Sequence, residues 1–402
     1  MQKKGKIYDV VVSGAGPSGS LLGYLLASSG LDTLIIEKER FPREKICAGG
    51  IQHRALSLLP FEIGSAIERT VSGIHFTYRA GSHFFKKYND PVIYTVRRSV
   101  FDNLLAGYAK NAGCNIVFGQ KVCGYRACDD CVEINAGSTK YRARILAGAD
   151  GIRGYVHSRI LNGAGINKII GYEAEMQVGD SSVLTCGRLF SQMDLSESVL
   201  LDFGGVKKGY GWIFPKNSSM SAGIGAPAGY AKQAREYFYK FLRLFFNSGN
   251  YTEKESFLKH LKIKAHGIPV GSRNTPVCDY RVLTVGDAAS IGDGFTGEGL
   301  FNCFRSSRIA AVCIENALKN SGFSFEDYHK AVNDEIFPDI EASLAFTKMF
   351  YNSPGFFYNL LKSDSPLFES CCRILRGERS YAEVLKKLKT KNIFNAFAKK
   401  VK

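Results

Sequence analysis

Apolar runs broken by glycine-rich turns set the pattern from the amino terminus. Residues 7–13 (IYDVVVS) read as a buried strand and residues 33–37 (TLIIE) as a second. Between them, small and apolar residues through about position 29 predict a helix, with Gly30 as its stop. Residues 70–95 predict short strands with turns. Residues 98–112 predict a helix with Phe101, Leu104, Leu105, Tyr108 and Ala109 on its apolar side. A β meander follows over 116–145, ending in a strand at 144–149, and 170–226 is strand-rich with repeated glycines. Residues 231–247 and 253–261 read as helices and 281–285 as another buried strand. A second glycine-rich turn leads into a helix from Gly299 onward, and the chain beyond 320 is mainly helical. No internal repeat or low-complexity segment interrupts this order.

The first turn reads Gly14-Ala15-Gly16-Pro17-Ser18-Gly19, between a strand and a helix. In that setting the first glycine permits the tight turn, the second lets backbone approach a pyrophosphate, and the third allows close helix–strand packing. The helix start offers free N–H groups and partial positive charge to phosphates. Pro17 suits a first helical turn, where its missing donor costs nothing. Glu37 ends the second strand 21 residues beyond Gly16, where a carboxylate can accept from ribose hydroxyls; Lys38 follows it. This motif does not separate NAD from FAD. The strand VLTVGD (282–287) delivers Gly286 and Asp287 to its end, and Gly292, Gly294, Gly297 and Gly299 follow. An aspartate there can bond a polyol chain, and the next helix start can stabilise a reduced, anionic ring. The alternative is an acidic loop that caps a helix.

Composition narrows the classes. The chain has 402 residues, long enough for two joined domains or more, with 45% hydrophobic and 22% charged residues. Its net charge of +16 favours anionic partners: a phosphorylated cofactor, a phospholipid surface or nucleic acid. No RNP-like or zinc-finger pattern supports nucleic acid. Eleven cysteines without even spacing fit a reduced compartment. The lone CxxC, Cys128 to Cys131, reads as a hairpin turn, since a redox CxxC normally opens a helix. No second CxxC or HxxxH pair accompanies it, so no metal is expected. Lys3, Lys4 and Lys6 precede an apolar run, but Asp9 breaks it, against a signal peptide. No apolar stretch is long enough to span a bilayer. The expectation is a cytoplasmic protein, or one peripheral at the inner membrane face.

The order GxGxxG, Arg98-x-x-Phe101-Asp102, Asp150-Gly151, Gly286-Asp287 resembles the flavoprotein hydroxylase superfamily. The resemblance implies FAD, with Asp287 on the ribityl chain, Asp150 near the cofactor and Arg98 helping to bind it. Three further stretches, YGWIFPK (210–216, with Gly223 and Gly225 after it), TGEGL (296–300) and Lys45 to Gly50, resemble the geranylgeranyl reductase family over about residues 6–310. Departures are Ala48, where that family commonly has glycine, and Gly294, where it commonly has proline.

The resemblance implies an α/β fold: a Rossmann-type FAD-binding domain with an inserted β-rich substrate domain and a helical C-terminal region. The division is 1–70, 96–165 and 265–320 for the cofactor, 71–95 and 166–264 for the substrate, and 321–402 for the helices. It also implies hydride transfer from reduced FAD to C=C bonds of a prenyl chain, with the Thr296–Leu300 turn, including Gly297 and Gly299, at the ring's pyrimidine edge. Cys47 is expected beside the ring, as a gate or substrate contact or else as a buried structural thiol. Tyr210 and water are alternative proton sources; Trp212 and Phe214 are walls or substrate contacts. Implied partners are a prenylated lipid and an electron donor, NADPH or a ferredoxin-like protein.

A flavin monooxygenase on an apolar or aromatic substrate is the alternative enzyme, although the halogenase pattern WxWxIP is absent. A flavin-bearing, membrane-associated protein without catalysis is the third reading. Within 381–402, Val384, Leu385, Leu388, Phe394, Phe397 and Val401 fall near one helical face, with lysines over most of the rest. That pattern fits either an anionic membrane surface or an ordinary helix docked on the body.

Overall fold

The computed structural model describes residues 6–177, 193–245, 260–363 and 365–390. The first sheet is built around β1 (Ile7–Ser13), which enters α1 (Pro17–Ser28) through the glycine turn and returns as β2 (Thr33–Glu37). β3 (Gly50–Gln52), the short α2 (His53–Leu56) and β4 (Ile67–Val71) come next, then the hairpin β5 (Gly73–Tyr78) and β6 (Ser82–Lys87), then β7 (Ile93–Val96) and α3 (Arg98–Asn111). The chain rejoins the first sheet as β8 (Asn115–Phe118), the β9 (Val122–Ala127) and β10 (Val132–Ala136) hairpin, and β11 (Thr139–Gly148). The Cys128–Cys131 segment is the turn of that hairpin, closed by the Cys128 N–H donating to the Cys131 carbonyl at 2.8 Å.

After α4 (Tyr155–Leu161) come the long strands β12 (Asn167–Gln177), β13 (Ser198–Phe203), β14 (Tyr210–Pro215) and β15 (Ser219–Pro227). Then follow α5 (Ala231–Phe245), β16 (Lys264–Val270), β17 (Cys278–Asp279) and β18 (Val282–Thr284). Helices finish the chain: α6 (Leu300–Asn320), α7 (Glu326–Ala331), α8 (Phe337–Asn352), α9 (Pro354–Ser363), α10 (Ser365–Arg376) and α11 (Tyr381–Thr390).

The first sheet has the order β17-β18-β11-β1-β2-β8, with the β9–β10 hairpin added to β11. Its central pairs are parallel, β1 to both β11 and β2, β2 to β8, and β11 to β18. Parallel strands are covered on both faces, which explains the unbroken apolar runs Val10-Val11-Val12 and Leu34-Ile35-Ile36, all buried. α1 carries glycine at 19 and 23 and packs closely between α3 and α6.

The second sheet has the order β16-β12-β15-β14-β13-β5-β6, all antiparallel except β13 beside β5. Its strands alternate. Ile213, Ala222, Ile224 and Ala226 face α5, whose Phe238, Phe241, Leu242 and Phe245 are fully buried. Residues of the opposite parity face a large cavity between the sheets. The C-terminal helices close one end of it: Phe346, Phe350, Phe368 and Tyr381 join Phe76 and Phe203 in one aromatic core.

Two details differ from the sequence reading, and a third falls on one of its two alternatives. β16 lies within the stretch 265–320 assigned to the cofactor domain, yet it pairs with β12 from Asn167 to Glu173 in the second sheet. β7, at the edge of the 71–95 segment, pairs with β3 and β4 in a separate small sheet. Tyr381, Val384 and Leu388 of α11 are buried against the body, as an ordinary docked helix would be. The remaining residues of the basic stretch beyond 390, and nearly all of the helix read at 253–261, lie outside the described residues. No described helix is long and apolar enough to cross a membrane.

The β5–β6 hairpin carries a stacked histidine pair, with His75 Nδ1 2.9 Å from His83 Nε2 and His75 Nε2 3.1 Å from the Asp194 carbonyl. The carbonyl requires a proton on Nε2 of His75, so its Nδ1 accepts from His83 and both rings are neutral. Burial lowers both pKa values. The unfolded chain therefore binds more protons below about pH 6.5, and stability falls as pH drops through that value. Urea unfolding between pH 7 and pH 5 is expected to show this loss, and His75→Phe with His83→Phe to reduce it, leaving the share of His53, His157 and His266, whose pKa values burial also lowers.

Candidate functional site

The site begins where β1 ends. Gly14 has φ +105°, and its amide donates to the Ile36 carbonyl at 2.8 Å. A Cβ on Gly14 would lie 2.5 Å from the Ala149 carbonyl oxygen, and one on Gly19 would lie 2.0 Å from that of Gly14. Neither position can accept a side chain without moving backbone. Gly16 differs: the only atom near its would-be Cβ is Arg43 Nη2, 3.9 Å away, so the approach to the α1 start is open. Pro17 occupies the first turn of α1. Glu37 is buried at the end of β2, its two oxygens accepting from the Ala15 amide at 2.7 Å and the Glu39 amide at 2.9 Å. The bonds hold the carboxylate beside the turn with lone pairs to spare for sugar hydroxyls. Lys38 stands next to it on the cavity wall.

Arg98 starts α3 and forms a two-pronged ion pair with Asp102 one turn on, at 2.7 and 2.9 Å. Arg43 reaches the same carboxylate at 3.0 Å. Asp102 is fully buried, so two guanidiniums share one enclosed carboxylate and leave net positive charge beside Gly16 and the Cys47 loop. Burial alone would lower the Arg98 pKa, but Asp102 and Cys47 beside it more than offset this and hold it above its ordinary value. An anionic group is the natural complement of this arrangement. Sequence reading identified Arg98 but missed Arg43 and the role of Asp102, because the pairing spans from the loop after β2 to α3.

The second glycine turn arrives from the other side. Gly286 has φ +63° and a Cβ there would lie 2.4 Å from Ser18 Oγ of α1. Gly286 and Gly19 therefore serve packing and do not line the cavity, whereas Asp287, next along, does. Asp287 also touches the second turn's end, with its Oδ1 3.3 Å from a Cβ built on Gly299. Gly297, at φ +67°, Gly299 and Leu300 form the cavity-facing start of the long helix α6. The N-termini of α1 and α6 thus converge on one space, as required if both glycine turns grip a single dinucleotide.

A buried polar network absent from the sequence reading holds the second turn. Asp293 accepts from the Phe295 and Thr296 amides at 2.9 and 2.8 Å, from the Thr296 hydroxyl at 3.0 Å and from Tyr381 of α11 at 3.3 Å. Arg54 lies 3.6 Å from Asp293 and donates to Gln52 at 2.7 Å. Glu298 accepts from the Phe301 amide at 3.0 Å; burial pushes its pKa up to about 7, against the pull of Arg54.

Opposite stands the inner face of the second sheet. Direct cross-strand partners share a face, which gives rungs. One contains Tyr210, Gly225, Gly171 and His266; the next contains Trp212, Gly223 and Glu173; a third contains Phe214, Ser221 and Glu175. The Trp212 indole lies in a glycine trough. A Cβ on Gly223 would be 2.2 Å from its Cζ2, and those on Gly225 and Gly171 would be 3.5 and 3.8 Å from the ring. Trp212 Nε1 and His266 Nε2 are buried without a hydrogen-bond partner. The Tyr210 hydroxyl donates to the Thr296 carbonyl, tying the sheet to the second turn. Burial, with Asp293 and Glu298 nearby, pushes its pKa up, so the phenol keeps its proton. Cys47 lies between the two halves, on the loop before β3, with its sulfur accepting from the Gly49 amide at 3.4 Å. Asp150 lines the cavity and caps α4 through the Val156 amide at 2.8 Å; burial raises its pKa to about 6.

Gly16, Glu37, Arg43, Arg98, Asp287 and the Thr296–Leu300 turn, with Tyr210, Trp212, Glu173 and His266 opposite, border one cavity of about 1230 Å³. It runs from the charged glycine turns to an aromatic chamber of Phe76, Phe203, Phe346, Phe350 and Phe368. Open backbone at Gly16, a sugar-facing carboxylate at Glu37, spare positive charge at Arg43 and Arg98, Asp287 at the second turn and two helix N-termini fit an FAD molecule. Among the described residues no cluster of three His, Cys, Asp or Glu could hold a metal ion.

Residues 7–185 match the family model described as an FAD binding domain. The chain is 29% identical, over 94% of both chains, to an uncharacterised protein of Methanosarcina barkeri. It is 27% identical to the digeranylgeranylglycerophospholipid reductase of Methanosarcina acetivorans, covering 86% of this chain and 85% of that one. Among solved structures, a geranylgeranyl bacteriochlorophyll reductase-like protein from Thermoplasma acidophilum superimposes with a TM-score of 0.74 at 21% identity, covering 96% of this chain and 99% of that one.

Two expected outcomes follow from the packing. Gly19→Ala forces a backbone collision at the first turn, and in an FAD titration followed by flavin absorbance the variant is expected to take up no FAD where the parent does. Asp102→Ala leaves two enclosed guanidiniums without their carboxylate and is expected to cost about 3–5 kcal/mol in denaturant unfolding.

Proposed function

We propose that this chain, an FAD-dependent oxidoreductase of the geranylgeranyl reductase-like family within the hydroxylase-like flavoproteins, saturates C=C bonds of a prenyl chain carried by a lipid. The observation that carries the reading is the continuity of the cavity. Its charged end suits a dinucleotide, and its aromatic end offers a long apolar chamber to a hydrocarbon chain. Relatives named as reductases of a digeranylgeranyl lipid support the same substrate class.

Bound FAD, once reduced, supplies a hydride. The chain's own residues position, shield and balance charge. Gly14, Gly16 and the α1 N-terminus receive the pyrophosphate, with Arg43 and Arg98 adding positive charge. Glu37, with Lys38 beside it, holds the ribose side, and Asp287 holds the polyol. Asp150 and the cap it forms on α4 fix the wall beside them. The Gly299 N–H and the positive end of α6 would offset negative charge at the pyrimidine edge, while the Gly297 amide, donating to the Asp293 carbonyl at 3.1 Å, braces the turn. Tyr210 acts as a strut on the Thr296 carbonyl, because a buried phenol with raised pKa is a poor acid. Trp212 forms the floor on which an apolar chain lies, and Cys47 contacts it from the loop opposite. The phenylalanines of the chamber exclude water from the reacting bond. A reducing partner completes the turnover.

The test is anaerobic. FAD-loaded protein reduced with dithionite is mixed with a geranylgeranyl-bearing lipid. The expected result is return of the oxidised flavin spectrum together with a lipid heavier by two hydrogens per turnover. Reoxidation only on admitting oxygen, with an oxygenated product, would place the protein among the monooxygenases instead.

A further inference from the structure

We propose that Glu173 is the proton donor of this reduction: its carboxyl, on the cavity face of β12, protonates the alkene carbon next to the one that takes the hydride. The assignment rests on the prenyl-reductase reading.

Glu173 sits in the rung that contains Trp212, with only Gly223 between them. Because that glycine has no side chain, the indole leans across it and the floor of the cavity is continuous up to the carboxyl. Glu173 is 8% exposed and lines the cavity.

Comparison with the other enclosed carboxyls separates it from them. Asp150, Glu173 and Glu298 all have pKa values raised by burial, to about 6, about 7 and about 7. Asp150 accepts from the Val156 and His157 amides and Glu298 from the Phe301 amide. Such bonds favour the ionised form and fix the oxygens at helix starts. Among the described residues no main-chain N–H donates to the Glu173 carboxyl, which has the Ser221 hydroxyl beside it.

The groups that face Glu173 are consistent with a transferable proton. Lys216, at the end of β14, lowers its pKa, but that ammonium is already paired with Glu175 at 2.7 Å. Glu175, two residues along the same face, raises it. Ser221 on β15 and Arg98 on α3 lower it. On β16, Lys264 lies across from Glu173, and His266 is in the neighbouring rung. The Glu175 side chain is 34% exposed.

The step balances. The C=C π bond breaks; one carbon gains a hydride from the reduced cofactor, which is thereby oxidised by two electrons, and its neighbour gains the carboxyl proton. Glu173 is left as carboxylate and regains a proton from water. A carboxyl is the required form, so the rate is high below about pH 7 and falls as pH rises and the group ionises.

Glu173→Gln keeps shape and polarity but carries no acidic proton. It is expected to bind FAD and to be reduced by dithionite like the parent. Anaerobic reoxidation by the geranylgeranyl lipid should slow at least ~100-fold and lose its dependence on pH near 7. Glu173→Asp should fall between the two and keep the pH limb. Infrared spectra of the FAD-loaded proteins at pH 6, without lipid, provide a readout independent of activity. Glu298 and Asp150 contribute protonated-carboxyl absorbance to both proteins, so the readout is the parent-minus-Glu173→Gln difference, which should contain one further protonated-carboxyl band. An unchanged reoxidation rate in Glu173→Gln, or a difference spectrum without that band, overturns the assignment alone. A parent protein that leaves the lipid untouched overturns the prenyl-reductase reading and the assignment with it.

Discussion

Close approach of backbone to backbone at the first glycine turn is the constraint on which the site depends. The room for a Cβ is missing at Gly14 because the Ala149 carbonyl presses on it and at Gly19 because that of Gly14 does, while at Gly286 the Ser18 side chain fills the space. These contacts stitch the ends of β1 and β11, the start of α1 and the turn after β18 into one unit. Its effect is to bring two helix N-termini, separated by almost three hundred residues of chain, to the same cavity. Neither helix start alone specifies a flavin dinucleotide. The distance between them, fixed by sterics and not by charge, is what gives the site its length.

The second sheet complements that unit by sorting side chains across its rungs. β14 contributes the aromatics Tyr210, Trp212 and Phe214, β15 the small residues Gly225, Gly223 and Ser221, and β12 with β16 the titratable groups Glu173, Glu175 and His266. The glycines deny the floor any side chains of its own, so one indole covers three strands. Polar groups are thereby confined to one margin of an otherwise apolar surface. The cavity carboxyls whose pKa burial raises then differ by their hydrogen bonds, with amide-capped Asp150 and Glu298 set apart from Glu173.

What could be read from the chain was local. The strand–turn–helix unit, the Glu37 terminus, the VLTVGD strand and the amphipathic α3 are each specified by residues within a few turns of one another, so period and spacing sufficed. Arg98, Asp287 and the Thr296–Leu300 turn came from motif order, and all face the cavity. The rest required contacts remote in sequence. Arg43 meets Asp102 across almost sixty residues, and Asp293 meets Tyr381 across 88. Glu173 looks like any polar position in an alternating strand until β15 and β14 are placed beside it. Gly286 carries no sequence mark that distinguishes a packing glycine from one that touches a ligand. β16 falls on the cofactor side of a boundary drawn at 265, and only its ladder with β12 reveals the sheet it joins.

The least legible part of the chain also shapes the apolar end of the cavity. Phe346 and Phe350 come from α8, Leu361 from α9, and Phe368 and Cys371 from α10, while Tyr381 of α11 ties the group back to Asp293 beneath the second turn. These helices pack against β5 and β13, so the chamber has a sheet for one wall and helices for the other. A sheet rung is rigidly registered, but a helix can change its wall by one residue substitution without disturbing a ladder. Residues that hold a dinucleotide therefore lie on the locally specified unit, and residues that set the depth of the apolar chamber lie on elements free to vary around it. The hydrogen bond from Tyr381 to Asp293 makes that variation bounded: a shift of α11 large enough to resize the chamber would also withdraw support from the turn at Thr296.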